Sequence, residues 1–312
     1  MSPPRRLSGP NSFRRRLRTV AQRSRAFYTP VSLLFIGYFF LAEHRSIAEN
    51  LGSLHPGRLA LVLVLIATGH FFIALSSAFL FRSLGSHPGF GTVFATHVNR
   101  LPARYLPGGI WQTISRAADF SALGMTSGII LRVVMLEIAL STALAALLGA
   151  VLQLLGGPLH HPFILVVAAL VGLIGLIAAP LLARRLLRDG VRIRRADYAA
   201  AVGAFLVVWL LYGTAFFLFL SQVLGDVGWF RAVGVYLSSW LIGFLAFFAP
   251  QGIGVFEVTS SFLLTGSIAS AFVASVFAFR LLSILADFLV WMLFRLVSGK
   301  LCTLLPPGCH WS

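Results

Sequence analysis

Long apolar runs dominate this chain, and short polar stretches separate them. A helix that crosses the hydrocarbon core of a bilayer needs about 20 predominantly apolar residues. Six runs approach or exceed that length, at residues 27–42, 59–81, 129–155, 163–183, 199–221 and 268–297. The first run is short for a span, and its flanking aromatic residues favour anchoring at the membrane interface. The pattern predicts an all-α polytopic integral membrane protein with six spanning helices.

Two breaks interrupt this pattern, and both contain proline and glycine. The first break, residues 99–116, places three arginines around Pro107-Gly108-Gly109, and the second break, residues 249–254, reads Ala-Pro-Gln-Gly-Ile-Gly. Neither proline nor glycine supports a continuous helix, and unpaired backbone in hydrocarbon is tolerated only inside protein or beside a wet cavity. We predict a re-entrant helical hairpin at each break. The alternative for the first break is an interfacial loop between two spans.

The order of these features repeats along the chain. Two spans, a broken hairpin and a charged span occur within about residues 27–156 and again within about 163–298, and Pro107 corresponds to Pro250. The offset between matching features is near 140 residues. Each repeat has three spans, an odd number, so the second copy enters the membrane from the opposite side. Such inverted repeats are typical of secondary transporters whose discontinuous helices meet at a midplane site.

The composition agrees with a membrane protein and narrows its partners. Hydrophobic residues make up 58% of the 312, charged residues 11%, and the mean hydropathy is +0.89, which excludes an ordinary soluble domain. The net charge of +16 does not indicate nucleic-acid binding, because most arginines lie between or beside apolar runs. Lys300 is the only lysine among 25 basic residues. Arginine pairs with phosphate at two points, so the bias is compatible with phospholipid headgroups, although a GC-rich genome would also produce it.

The basic residues also predict the topology. Seventeen lie in the N-terminal tail, the loop at Arg82, the loop at 184–195 and the C-terminal end (Arg295 and Lys300), against three in the opposite loops; the other five belong to the breaks or the spans. By the positive-inside rule we expect both termini to be cytoplasmic. The expected location is the cytoplasmic (inner) membrane. We expect a basic tail at 1–26, a single transmembrane domain at 27–300 and a short tail at 301–312.

Arg132, Glu137, Arg280 and Asp287 fall inside predicted spans, where charge is costly and usually functional. Arg280 and Asp287 are seven residues apart, which places them on one helix face about 10 Å apart. Arg132 and Glu137 diverge on the helical wheel, so each needs a partner elsewhere, and Glu137 with Arg280 is the symmetrical expectation. The alternative is that these charges only form ion pairs that fix helix packing.

Other polar residues have two interpretations each. Glu257 follows Gly254 by three residues, so it either caps the helix after the second break or binds a ligand. His70 and His97 either relay protons or are hydrogen-bonded packing residues. No catalytic triad, metal-binding pattern or nucleotide fingerprint is found in the sequence, and we expect no cofactor. The candidate substrate-binding residues are Asn99, Arg100, Arg104, Pro107, Gly108, Gln112, Arg116, Arg132, Glu137, Pro250, Gly252, Gly254, Glu257, Arg280 and Asp287.

The sequence at both breaks resembles the lysylphosphatidylglycerol synthase transmembrane-region family. The resemblance is carried by Arg104-Tyr-Leu-Pro107-Gly-Gly-Ile-Trp111, Arg116, Gly124 and Pro250-Gln-Gly252-Ile-Gly254-Val-Phe-Glu257, and it covers nearly the whole chain after the basic tail. Gln251 stands where that family usually has glycine. The resemblance implies a flippase-like lipid module with re-entrant helices. Some members carry a cytosolic aminoacyl transferase, and this chain is expected to be a stand-alone member without it.

Three functions are compatible with these patterns. The favoured hypothesis is a transporter that moves an anionic phospholipid or a polyprenyl-linked lipid across the membrane. The alternative is an integral-membrane enzyme, or an accessory subunit in glycolipid or polysaccharide biosynthesis, with Glu137, Glu257 or Asp287 as acid or base. A scaffold without transport is the third. The expected partners are membrane lipids with anionic or polyprenyl-phosphate headgroups, and a second copy of the chain or a biosynthetic enzyme are further candidates.

Overall fold

A computed structural model of the chain describes residues 52, 55–105, 111–157, 162–187, 193–225, 227–246 and 250–304. Every regular element in these ranges is helical. The helices are α1 (Pro56–Ser83), α2 (Phe90–Asn99), α3 (Trp111–Ala122), α4 (Ser127–Leu155), α5 (Pro162–Leu187), α6 (Arg195–Leu224), α7 (Trp229–Leu245), α8 (Val255–Thr265) and α9 (Ser270–Leu304). Two 3₁₀ segments, Leu101–Tyr105 and Pro250–Gly252, lie within the two breaks. The predicted tail 1–26 and first span 27–42 lie outside the described residues.

Within the described ranges, five helices are long and apolar enough to cross a membrane. They are α1, α4, α5, α6 and α9, and they contain nearly all of the last five apolar runs identified in the sequence. Shorter apolar helices, α7 and α8, flank the second break. These findings confirm the prediction of an all-α membrane protein.

The same series of elements occurs twice. A long helix, a short helix, a 3₁₀ segment, a second short helix and a second long helix form the series α1 to α4, and α6 to α9 repeat it. Pro56 and Arg195 begin α1 and α6 at an offset of 139 residues, and Ser127 and Ser270 begin α4 and α9 at an offset of 143. The breaks therefore occupy equivalent positions in two successive parts of the chain.

Several helices of the bundle pack closely against one another at small residues. Helix α1 packs along α6, where Gly69 leaves room for the ring of Tyr212 and Ser76 Oγ donates a hydrogen bond to the Ala201 carbonyl at 3.0 Å. Helix α4 packs between α5 and α7. Small residues at such crossings let helix backbones approach closely where no hydrophobic effect drives association. Helix α5 is the most exposed of the five long helices and presents apolar side chains such as Ile174, 63% exposed, on the outer surface.

The crossing of α5 with α4 gives a stability prediction. A Cβ atom on Gly172 would lie 2.6 Å from the Ala143 carbonyl oxygen and 2.6 Å from the Leu147 backbone nitrogen. Gly172→Ala therefore forces two backbones apart and is expected to cost about 1–3 kcal/mol of stability. Gly203→Ala on α6, with no atom within 4 Å, is the matched control and gains about 1 kcal/mol of helix propensity.

Thermal unfolding of both variants in detergent measures the difference. We expect a lower midpoint for Gly172→Ala and an equal or higher midpoint for Gly203→Ala. Equal midpoints for the two variants would contradict the close crossing of α4 and α5.

Candidate functional site

A cavity of about 420 Å³ lies where the two breaks meet inside the helical bundle. Its wall combines charged side chains with aromatic rings, and it draws on both halves of the repeated series of elements. The charged residues on this wall are Arg104, Arg116, Glu137, Arg280 and Asp287. The surrounding surface of the long helices is apolar, so these groups form an isolated polar interior.

Asp287 on α9 is the most connected group of this interior. Its carboxylate is 2% exposed and binds three side chains. Oδ1 lies 2.9 Å from His70 Nε2, and Oδ2 accepts hydrogen bonds from Arg104 Nη1 at 3.0 Å and Tyr105 Oη at 2.6 Å. The Nδ1 atom of His70 in turn lies 3.2 Å from Nε2 of His97. Because a buried carboxylate is stable only when paired and hydrogen-bonded, Asp287 ties α1, α2 and the first break to α9.

The first break delivers Arg104 and Tyr105 to that carboxylate. Helix α2 ends at Asn99, and the chain tightens into the 3₁₀ segment Leu101–Tyr105, where Pro102 cannot continue an α-helix. The ring of Tyr105 stacks on Phe288 of α9 at a centroid distance of 5.9 Å. Backbone geometry and ring stacking together fix the two side chains at the cavity wall.

A second ion pair joins α3 to α4. Arg116 donates to both oxygens of Glu137, from Nη1 at 3.1 Å and from Nη2 at 3.0 Å. Ser77 of α1 completes the cluster, since its hydroxyl donates to Glu137 Oε1 and accepts from Arg116 Nη2. The expected pairing of Glu137 with Arg280 is therefore wrong. Helix α3 packs against α4 and brings Arg116 to the carboxylate, whereas Arg280 is bound at the second break.

Arg280 instead binds groups of the second break. Its Nη2 donates to the Gln251 carbonyl at 2.6 Å, and its Nε forms a longer ion pair with Glu257 Oε1 at 3.6 Å. The Glu257 Oε2 atom accepts the backbone N–H of Gly254 at 2.7 Å, so the interpretation of Glu257 as a helix cap is confirmed. The second break is thus held by one arginine and one carboxylate that also pair with each other.

The Pro-Gln-Gly-Ile-Gly sequence has a backbone explanation. Gly252 and Gly254 adopt φ values of 66° and 85°, which favour glycine, and a Cβ on Gly252 would lie 2.7 Å from Gly243 Cα. Gln251 is also left-handed, with φ of 53°. Its side-chain amide donates to the Arg104 carbonyl at 2.7 Å, which stabilises this unusual conformation and joins the two breaks directly.

The structure brings only some of the candidate residues to the cavity. Those that line it are Arg104, Gln112, Arg116, Glu137, Gly252, Arg280 and Asp287. Pro107 and Gly108 lie outside the described residues, and Pro250 begins the second 3₁₀ segment. Gly254 and Glu257 do not line the cavity, and the hydrogen bond between them stabilises the second break.

Three further candidates lie away from the described cavity wall. Arg100 is 42% exposed at its side chain and forms a two-point pair with Asp119, at 2.7 Å and 2.6 Å. Asn99 ends α2, and Arg132 is buried on α4 at 2% exposure. Arg100 and Asp119 tie the first break to α3.

Sequence reasoning did not assign several residues of the site. The sequence allows two interpretations of His70 and His97, and the structure shows His70 hydrogen-bonded both to His97 and to Asp287. In the sequence, Tyr105 is only one residue of the motif at the first break, but its position next to Arg104 is a signal that could identify it as a site residue. The aromatic wall, which includes Tyr212, Tyr236, Trp240 and Phe244, has no local signal because aromatic residues are common in spans.

The fold and the site define a helical membrane protein with an internal, charge-lined cavity. No protein-family profile and no curated protein matches the chain. What this site can bind is therefore inferred from its geometry alone. An arginine side chain that is paired with a carboxylate can exchange it for another anion, because phosphate offers the same two-point acceptor geometry. The site is thus suited to binding an anionic group inside the bundle.

The Arg116 and Glu137 pair gives a second stability prediction. Their side chains are only 10% and 15% exposed, so Glu137→Gln leaves a nearly buried guanidinium without its counter-charge. We expect a loss of about 3–5 kcal/mol of stability, with partial recovery in the double variant Arg116→Gln, Glu137→Gln. Arg82→Gln is the control, because Arg82 is 50% exposed and its ion pair is worth less than about 1 kcal/mol.

These differences in stability are measured by unfolding each variant in detergent with denaturant or heat. The single variant Arg116→Gln completes the comparison. If the stability loss of the double variant equals the sum of the losses of Glu137→Gln and Arg116→Gln, the two side chains do not interact.

Proposed function

We propose that this chain is a membrane lipid transporter that moves an anionic phospholipid or a polyprenyl-linked lipid across the cytoplasmic membrane. The observation that carries the proposal is the meeting of Arg104, Arg116 and Arg280 around one cavity between apolar helices. Ionisable groups at this depth are costly and normally mark the path of a charged substrate.

The size and lining of the cavity support a lipid headgroup as the substrate. A volume of about 420 Å³ lies within the usual range of small-molecule sites. Guanidinium groups bind phosphate oxygens at two points, and the aromatic side chains on the wall supply apolar area for the glycerol or isoprenoid part of a lipid. In this proposal the phosphate replaces the carboxylate partners of the arginines.

The exposure of two wall residues supports access from the bilayer. Ile138 of α4 and Phe244 of α7 line the cavity, and each is also 44% exposed at the surface of the bundle. Apolar residues that belong to both the wall and the outer surface provide a lateral route. Acyl or isoprenoid chains would stay in hydrocarbon while the headgroup enters the cavity.

The architecture that we propose extends the observed helices. Residues 27–42 form a sixth span, each break lies in a re-entrant hairpin, and the two series of elements are inverted relative to each other across the membrane. Both termini are cytoplasmic. The repeated order of elements and the hydrogen bond between Gln251 and Arg104 support this arrangement, which places the breaks together at midplane. The resemblance to the lysylphosphatidylglycerol synthase transmembrane-region family supports the same proposal.

A second candidate is an integral-membrane enzyme or an accessory subunit in glycolipid or polysaccharide biosynthesis. The observation that favours it is the presence of two carboxylates, Glu137 and Asp287, on one cavity wall. Both are bound by arginine. A lipid product that depends on either carboxylate and forms without leaflet exchange would favour the enzyme.

Arginine-to-lysine substitutions test the transport proposal. If Arg104 and Arg116 bind phosphate, then Arg104→Lys and Arg116→Lys lose the two-point hydrogen bond and slow lipid exchange by about tenfold or more, and alanine variants are slower still. Arg82→Lys, outside the cavity, is the matched control and keeps the exchange rate. The measurement is leaflet exchange of fluorescent phosphatidylglycerol in vesicles that contain equal amounts of each variant.

Unchanged exchange in both lysine variants would remove these side chains from the transport site. It would also indicate that the arginines only orient the first break, because the positive-inside rule treats lysine and arginine alike.

The proposed topology is tested by cysteine labelling. After replacement of Cys302 and Cys309, cysteines introduced at Ser46 and His161 should react with an impermeant reagent from outside the cell. A cysteine at Asp189, in the basic loop, should react only after the membrane is opened. Labelling of Asp189→Cys from outside would contradict the topology.

A further inference from the structure

Two histidines and one carboxylate form a continuous hydrogen-bonded chain beside the cavity. His97 of α2 lines the cavity, and its Nε2 lies 3.2 Å from Nδ1 of His70 on α1. The Nε2 of His70 lies 2.9 Å from Oδ1 of Asp287 on α9. None of the three side chains is more than 3% exposed.

The carboxylate sets the direction of these hydrogen bonds. An ionised carboxylate only accepts, so His70 donates through Nε2 and keeps a lone pair on Nδ1. His97 then donates through Nε2, and its lone pair lies on Nδ1. That nitrogen is buried and has no hydrogen-bond partner among the described residues. The chain therefore ends in a nitrogen lone pair to which a proton can be transferred.

We propose that His97, His70 and Asp287 form a proton-binding site that couples protonation of Asp287 to the binding of an anionic headgroup at Arg104. The inference rests on the proposed function, because it concerns how the transport site admits its anion. It assigns a proton as the co-substrate, which the transport proposal itself does not specify.

The transfer is balanced along the chain. A proton from the cavity forms a new N–H bond at Nδ1 of His97, and the Nε2–H bond of His97 breaks as its proton passes to Nδ1 of His70. The Nε2–H bond of His70 then breaks as its proton passes to Oδ1 of Asp287. Both imidazoles end neutral in the opposite tautomer, and the carboxylate has gained one proton. Every hydrogen bond of the chain is kept, with its direction reversed.

Protonation of Asp287 changes the state of Arg104. The guanidinium of Arg104 is paired with Oδ2 at 3.0 Å, and a neutral carboxyl group no longer offsets its charge. A phosphate that binds Arg104 restores the balance, so a proton and an anion enter together more favourably than either alone in a medium of low dielectric. The other titratable or charged groups of the cavity wall are Tyr105, Arg116, Glu137, Tyr212, Tyr236 and Arg280.

Proton coupling is measured in vesicles that contain the purified chain, fluorescent phosphatidylglycerol and a pH dye in the lumen. Leaflet exchange is followed with equal pH on both sides, with an imposed pH gradient, and after an ionophore collapses the gradient. For the wild type we expect faster exchange with the gradient, loss of that response with the ionophore, and a change in luminal pH as lipid crosses.

Three variants interrupt the chain, and one variant is the control. His97→Gln and His70→Gln offer amide groups that hydrogen-bond but cannot pass a proton along the chain, and Asp287→Asn cannot be protonated. Each should lose the response to the gradient and the change in luminal pH. His87→Gln, an exposed histidine before α2, should keep both. Wild-type exchange that ignores the gradient, or a response that survives in both glutamine variants, would overturn the proposal.

An infrared titration separates this inference from the transport proposal. A protonated Asp287 gives a carboxylic acid carbonyl band that appears as the pH falls, is absent in Asp287→Asn and moves to lower pH in His97→Gln. If vesicles show no lipid exchange, the transport proposal fails while this titration still supports the proton site. A wild-type spectrum that matches Asp287→Asn at every pH where the protein is folded would refute the proton site.

Discussion

The burial of the Asp287 carboxylate is the constraint on which the interior of this protein depends. A charge inside an apolar bundle persists only with paired and hydrogen-bonded partners, and Asp287 finds them in His70, Arg104 and Tyr105. These partners belong to α1 and to the first break, whereas Asp287 lies on α9. One carboxylate therefore fixes the relative positions of segments that are far apart in sequence. The cavity lies where these segments meet around this polar centre.

The charges of the cavity wall are balanced in pairs, which limits how an anion can enter. Arg116 is bound by Glu137, Arg104 by Asp287, and Arg280 by Glu257 together with a backbone carbonyl. In the proposed function, a headgroup phosphate must either displace a carboxylate or arrive with a compensating cation. A proton is the smallest such cation, and the histidine chain leads directly to one of the carboxylates. In the proposed mechanism, substrate binding and proton binding depend on the same ion pair.

Much of the fold follows from patterns in the sequence, whereas most of the site does not. Apolar runs locate the five long helices because span length is set by the bilayer, and Pro250 marks a break because its ring cannot continue a helix. The cap formed by Glu257 is local and hence predictable. The pairing of Glu137 depends on which helix packs beside α4, which a helical wheel does not encode. His70 is separated from Asp287 by 217 residues, so no local pattern indicates their contact.

The central claim, that an anionic headgroup occupies the cavity between the two breaks, is tested most directly by photo-crosslinking. The protein is placed in lipid nanodiscs with a phospholipid that carries a diazirine beside an anionic headgroup, and labelled peptides are mapped by mass spectrometry; a zwitterionic version of the probe is the control. We expect labels on cavity residues such as Tyr212, Tyr236 and Ser283, and fewer labels there with the control probe. Labels confined to the outer face of α5, at residues such as Leu173 and Ile177, would contradict the claim.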